Sequence, residues 1–560
     1  MTAIPKLDHQ SAQSRWWHDQ DSIGWPIAAL ALLLIAQFSL VFTRAINWDE
    51  FYFFHEVARF ADGQLDRPLQ TFHTRLFFWL PGLFETSVDH IVAARTAMYL
   101  AELVTLLSIF ALAQHFTDRT TAIFAAVLYL SSGYVLQHGM SFRVDPMVTA
   151  ALISALAILG TSRLDLRGIA AFSVCVALAG MISIKCALYL PAFAGIAFMR
   201  LSQADWSRTM AIRLAAASIA ALMIFAIMFW LHSRGVTSDR TVTNSSAGLL
   251  KSSSKWMFFV GVPPYWLMGI KGAMIAPVMA AIVLITPFAI WRSSRDLAEK
   301  VALTGLWAPI LSVMFYMNTA AYFYAFILAP VSVAGLAAIH FAVKRFAPML
   351  VAVTMTAVAA GVFLMEDRST INRQRQLERN VHEIFGQPVT YFDHNYMLGN
   401  WDKANGFMTP WGMANYRAAG IPKYRHAMED RVVPLLLANW WTLRAMIEGS
   451  DDTLLLPQDN AALRNNYIEF SPFIYIAGKE FPAGSKDLDT EFLVPGSYTL
   501  RGGGGIVLDG TRYENGEVLN LARGFHTVSV PGQRTVRIVW GDNLPKPNDP
   551  LEPGPLYVGF

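Results

Sequence analysis

The sequence predicts a polytopic α-helical membrane protein carrying a C-terminal domain of mixed α/β and β-sandwich character. Three observations lead there. Of the 560 residues 54% are hydrophobic and only 15% are charged, where a soluble chain carries about a quarter. Long apolar runs fill the chain as far as Met365, and from Glu366 the composition turns polar, rich in Gly, Asn, Asp and Pro. Within that polar part, Asp-Gly and Asn-Gly pairs separate short alternating segments, the pattern of antiparallel strands joined by tight turns.

At ~20 residues per span the apolar part holds about eleven transmembrane helices. They fall near 25–42, 91–116, 121–137, 146–160, 168–183, 186–201, 211–232, 267–291, 301–317, 320–341 and 348–365. The third to sixth are short and closely spaced, so one junction among them reads equally as a re-entrant turn. The first run starts near Trp25, is long enough to span and lacks a small-residue cleavage site, unlike a signal peptide. Cys175 and Cys186 both lie in or beside apolar runs, so no disulfide framework is expected in the C-terminal domain. A net charge of +3 gives no basis for nucleic-acid binding.

Loop charges set the orientation. One alternating set of loops holds Arg119, Arg163, Arg167, Arg200, Arg208, Arg213, Arg292, Arg295, Lys300, Lys344 and Arg345. The opposite short loops hold little beyond Arg143 and Lys185. The positive-inside rule places the first set in the cytoplasm. The expected layout is a cytoplasmic tail (1–24), a membrane domain (25–365) with its first outer loop at 44–90, and two extracytoplasmic regions. These are a mixed α/β part (366–490) and a β-sandwich-like module (491–560). The charges imply a multi-pass membrane protein with its C-terminal domain extracytoplasmic. Asp49-Glu50, Arg143-Val144-Asp145, Lys185, the long loop 235–265 and the C-terminal domain then share one face.

Carboxylates at a membrane boundary are candidates for function. After Asn47-Trp48, the residues Asp49, Tyr52, Glu56 and Arg59 recur along one stripe of a short amphipathic helix, with Phe53, Phe54, Val57 and Phe60 between them. Such a helix lies in the interface with its Phe side in lipid. Helix capping is an alternative duty for Asp49, and the two roles are compatible. Asp145 before Pro146 likewise reads as a cap of the next span or as a second acidic group. Lys185, between two apolar runs, either snorkels or binds a lipid phosphate. Tyr322 and Tyr324 fit an aromatic belt or a substrate site. Two carboxylates and two cations on one face are the parts needed to activate a hydroxyl and to stabilise a departing phosphate.

In order and spacing these motifs resemble the GT-C glycosyltransferases, in the branch of the lipid A aminoarabinose transferases and the protein O-mannosyltransferases. Trp48-Asp49-Glu50-Phe51-Tyr52, followed by Glu56 and Pro68, is similar to the family's first-loop Asp-Glu motif. Val144-Asp145-Pro146-Met147 resembles the second acidic motif. Ser183-Ile184-Lys185 with Leu190-Pro191 resembles the Thr-Lys-Gly segment, with Cys186 replacing its glycine. Tyr324 through Pro330 resembles the late Tyr-and-Pro motif.

The resemblance implies a GT-C-like fold and an inverting transferase. It would move a sugar from a polyprenyl-phosphate donor to an envelope lipid, glycan or protein acceptor. An inner (plasma) membrane facing a periplasm is expected only from this resemblance and from the β-module. Asp49 carries over as catalytic base, with Glu50 beside it and Asp145 as second acidic residue. Lys185, Arg143, Arg75 and Tyr324 are the expected donor-phosphate contacts. Tyr52, Glu56, His73 and Tyr322 are the expected substrate contacts. The family's Glu-Lys-Pro segment corresponds here to Thr71-Phe72-His73-Thr74-Arg75-Leu76, a departure that leaves the donor sugar open. No cluster has metal-ligand spacing, so no metal is assigned and no cofactor is required, although a divalent cation shared by Asp49, Asp145 or Glu50 stays open.

In the C-terminal domain, strands are expected at 388–393, 495–500, 506–510, 524–530 and 536–540, and a helix at 431–448 containing Trp440 and Trp441. A transporter or lipid-linked sugar flippase is the competing class. Transporters hold polar groups near the bilayer midplane and carry repeats. Here the charged motifs sit at loop edges and no repeat is evident. The exception is Arg95 and Glu102 within the second span, read as a structural pair.

Overall fold

The protein is described from a computed structural model covering residues 10–236, 258–259, 261–406 and 408–559. The start of the expected tail and most of the expected loop 235–265 lie outside the described residues. The helices run α1 (Gln10–Thr43), α2 (Trp48–Ala61), α3 (His73–Leu76), α4 (Ser87–Gln114), α5 (Arg119–Leu130), α6 (Gly133–His138), α7 (Val144–Thr161) and α8 (Leu166–Ile182). A 3-10 turn (Ile184–Tyr189) leads to α9 (Leu190–Gln203) and α10 (Arg208–Ser233). Then come α11 (Trp266–Ile275), α12 (Pro277–Arg292), α13 (Leu297–Trp307), α14 (Ala321–Ala334), α15 (Leu336–Arg345), α16 (Pro348–Met365) and α17 (Thr370–Phe385).

Among the described residues, seven helical segments are long and apolar enough to cross a bilayer, and nine if two bent pairs each count as one span. The pairs bend by 106° between α11 and α12 and by 62° between α14 and α15. Of the about eleven spans expected, nine reach that length, and α5 and α8 are shorter apolar helices. The expected span at 121–137 breaks at Ser131-Ser132, whose hydroxyls both turn back onto the Leu128 carbonyl and so compete with the helical ladder. Lipid exposure is plain at α10, where only 11% of the most apolar stretch is buried against protein.

Where membrane helices meet closely, small residues allow it. A side chain on Gly305 of α13 would sit 2.5 Å from the Pro191 carbonyl of α9, and one on Gly195 would sit 2.9 Å from the Val301 carbonyl. Both obstacles are backbone and cannot turn aside. Gly305→Leu should therefore cost about 1–3 kcal/mol by forcing the helices apart. A melting temperature equal to wild type in purified protein would refute this close approach.

The amphipathic helix α2 forms as expected, but its setting differs. Phe51, Phe54 and Val57 are fully buried, and Glu56 is nearly so. They face no lipid. Phe51, Phe54 and Val57 pack in one core with Ile91 and Met98 of α4 and with Leu377, Val381, Trp401 and Tyr557 of the C-terminal region. Polar contacts reinforce the junction. Glu378 of α17 accepts the amides of Ser87 and Val88, both at 3.0 Å, at the buried N-terminus of α4, where the first amides have no partner within the helix. Gln374 brackets Ile46, accepting its amide and donating to its carbonyl. Gly399 sits so near Phe54 that a Cβ would come within 2.4 Å of the ring.

Among its described residues the C-terminal domain has eleven strands, β1 (Tyr391–Phe392), β2 (Leu435–Leu437), β3 (Tyr467–Ser471), β4 (Ile474–Phe481), β5 (Leu488–Phe492), β6 (Gly496–Gly502), β7 (Ile506–Leu508), β8 (Thr511–Tyr513), β9 (Val518–Leu521), β10 (Gly524–Ser529) and β11 (Val536–Trp540). A seven-stranded sheet has the order β1-β2-β4-β11-β6-β9, with β3 also on β4, and a four-stranded sheet runs β5-β10-β7-β8. Because β4 pairs with β11, the first sheet runs across the division placed at 490. Two faces meet in a sandwich core of Phe492, Leu500, Ile506, Val528 and Ile538. The helix expected at 431–448 is absent as such. Pro434 withdraws a helical donor, the fully buried Leu435–Leu437 pairs in parallel with β1, and only Trp441–Ile447 is helical.

Candidate functional site

The site begins with how α2 starts. Asn47 is its cap: the Asn47 side chain accepts the Asp49 amide at 3.0 Å, while Glu50 accepts the Asn47 amide at 3.0 Å. This reciprocal pair is a capping box. The capping duty considered for Asp49 thus falls to Asn47, and the Asp49 carboxylate is turned elsewhere.

Glu50 is fixed inward. It is fully buried and takes two bonds from the Arg95 guanidinium, at 2.6 and 2.7 Å, and one from the Phe142 amide at 2.8 Å. Arg95 also donates to the carbonyls of Arg44 and Ala45. Arg95 therefore pairs with Glu50, and not with Glu102 as expected; Glu102 lies near the Tyr129 hydroxyl instead. Buried this way, Glu50 is placed behind the site rather than in it. Burial would push its carboxyl upward, but Arg95 and the two amides outweigh that and hold it below its usual value.

The Phe142 bond positions the next residue. Arg143 Nη1 meets Asp49 Oδ2, and Arg143 Nε reaches Asp145 Oδ2 at 3.4 Å. Asp145, in the first turn of α7, accepts Lys185 Nζ at 2.7 Å through its other oxygen. Its side chain serves these two cations and not the helix end. The result is an alternating row, Asp49–Arg143–Asp145–Lys185. Asp49 is its most open member, with 16% of the side chain exposed against 1% for Asp145. The Tyr322 ring closes the row from α14, with the Arg143 guanidinium 3.4 Å and the Lys185 ammonium 5.3 Å from its centroid. Phe53 lies on the other side of Arg143 at 5.6 Å.

The remaining expected residues divide. Tyr324 is two positions beyond Tyr322, about 200° around the helix, and so faces α11 and Tyr134 rather than the charged row. Arg75 donates to His232 Nδ1 at 2.8 Å and to the His232 carbonyl at 3.2 Å, binding the C-terminal end of α10. His73 is buried beside Phe53, and burial lowers it to about 3, so it is neutral. Tyr52 and Glu56 both receive Arg67, and the Tyr52 ring lies 5.9 Å from that of Tyr396 in the C-terminal domain. Sequence reasoning missed Arg67 and Tyr396. Arg67 stood in plain view beside the quoted Pro68, whereas Tyr396 carried no signal before the domains were docked. No group of three or more His, Cys, Asp or Glu is arranged to hold a metal among the described residues.

No family model matches the sequence, and no curated protein matches it significantly. Solved structures do. A crystal structure of ArnT from Cupriavidus metallidurans in the apo state superposes with a TM-score of 0.51 at 14% identity, covering 74% of this chain and 93% of that one. The same protein bound to undecaprenyl phosphate gives a TM-score of 0.42 at 17% identity, covering 64% and 72%. An oligosaccharyltransferase from Archaeoglobus fulgidus in the apo form gives 0.49 at 10% identity, covering 89% and 76%. At such identities the likeness is one of architecture. The chain is a polytopic membrane protein with the GT-C-like fold seen in ArnT.

Proposed function

We propose that the protein is an inverting glycosyltransferase that takes a sugar from a polyprenyl-phosphate donor and passes it to an extracytoplasmic acceptor. The observation that carries this reading is the alternating row from Asp49 to Lys185, set in a GT-C-like fold. A hydroxyl or amine acceptor attacks the anomeric carbon and gives its proton to Asp49. The bond from that carbon to the phosphate oxygen breaks, and the phosphate keeps the electron pair. Arg143 and Lys185 each have N–H groups beyond those given to the carboxylates, and these would receive the growing negative charge. A single displacement inverts the carbon. Glu50 acts here as a positioning residue through Phe142. The loop charges favour an extracytoplasmic site.

The test is reconstituted, purified protein offered a panel of polyprenyl-phosphate sugars with envelope extract as acceptor. Expected is release of polyprenyl phosphate with sugar transfer from one donor. No turnover of any donor, together with movement of a lipid-linked sugar between leaflets, would replace this reading with a flippase.

A further inference from the structure

A cleft of about 680 Å³ opens in the C-terminal domain between the end of β4, the strand β5 and the helix Pro457–Asn466. That is within the ~300–1,000 Å³ range of small-molecule sites. It lies apart from Asp49. The Ile474 end of β4 packs in the core shared with the membrane domain, whereas Lys479 is five residues on, roughly 16 Å along the strand.

Its lining is unusual for a structural groove. Arg425, Arg464 and Lys479 line it together with Glu480, Asp489 and Glu491, and Arg464 is held by Asp452, so the two signs are balanced in the lining and neither sign of ion is strongly drawn in. Arg425 holds Glu491 and Arg537 holds Glu480. Among the described residues, the Asp489 side chain receives only the Thr527 hydroxyl, at 3.1 Å. Lys479 is 7% exposed, and its ammonium donates to the Asn465 carbonyl. It has three N–H groups to give, and no carboxylate bonds it among the described residues. Burial pulls it down to about 8, against the opposing charge of Glu491. At the rim, Phe525 is 72% exposed, directly across the strand pair from Glu491.

An open aromatic face beside intermixed donors and acceptors of zero net charge suits a ligand with apolar ring faces and many hydroxyls. The geometry points to a binding site for neutral oligosaccharide, with one sugar ring on Phe525 and hydroxyls bonded to Lys479, Asp489 and Glu491. An acidic glycan would leave the cleft carboxylates facing like charge.

The test uses the full chain in nanodiscs, free of sugar-headed detergent, on an array of short neutral gluco-, manno-, galacto- and arabino-oligosaccharides beside acidic ones. Expected is binding of at least one neutral series, weakened about tenfold or more by Phe525→Ala and weakened by Asp489→Asn. Both side chains are outside the core, so these variants fold. Asp49→Asn should bind as wild type does, and Phe525→Ala should leave donor turnover unchanged, which separates this site from the transferase reading. Absence of glycan binding, binding indifferent to both cleft variants, or preference for acidic glycans or inorganic phosphate would overturn it.

Discussion

Asp49→Asn is expected to lower sugar transfer about 10²–10⁴-fold, the range supplied by a positioned general base, with the protein still folded. The amide keeps the shape of the carboxylate but cannot take the acceptor proton. The fold should survive because α2 is capped by Asn47 and Glu50, not by Asp49, and because Arg143 keeps Asp145 and the Tyr322 ring. The check is a transfer assay paired with thermal unfolding of each variant. Equal activity in a folded Asp49→Asn protein would remove Asp49 from the chemistry. Asp49→Glu makes a useful companion: it retains the base but moves it by one methylene, so partial activity should return.

Arg95→Met should have the largest effect on stability, a loss of about 3–5 kcal/mol, because it strands a buried carboxylate. Arg95 is the hub that ties Glu50 to the Arg44 and Ala45 carbonyls. Without it the first turn of α2 and the Phe142 amide lose their common anchor. The double variant Glu50→Leu/Arg95→Met should recover part of the loss, since no charge is then left unpaired. Thermal unfolding of the three variants decides it, and an Arg95→Met protein as stable as wild type would show the pair to be dispensable. The pH dependence has a definite sign. Glu50 is held below its ordinary value of 4.5, so its stabilisation is complete above that pH and is lost as pH falls through the lowered value. Glu50→Gln should remove this acid-side slope.

Much of the site was legible from residue order alone. Asp49, Arg143, Asp145 and Lys185 were singled out because charges at the ends of apolar runs are costly and because loop charges assign them to one face. The structure joins these four in a row. The architecture was equally legible, since twenty-residue apolar runs in a bilayer leave the backbone few options besides helices. Of the strands after 491, β6, β7, β10 and β11 followed from turn chemistry, whereas β8 and β9 did not.

What required three dimensions was rotation and docking. Sequence spacing put Tyr322 and Tyr324 in one motif, but two residues turn a helix far enough that only Tyr322 reaches the cations. It placed Arg95 opposite Glu102 on one helix face, yet a guanidinium with five donors is better satisfied by the Glu50 carboxylate, 45 residues away, and the carbonyls of Arg44 and Ala45 just before it. The Phe stripe of α2 read as lipid-facing, because an amphipathic pattern tells that a face is buried without telling what buries it. A domain more than 300 residues later covers Phe54 and Val57, while Phe53 and Phe60 lie against His73 and Arg75. Composition and periodicity are local and settle which residues must leave water; pairing, rotation about a helix axis and the choice between lipid and protein as the apolar partner depend on packing across the whole chain, and only the tertiary structure decides them.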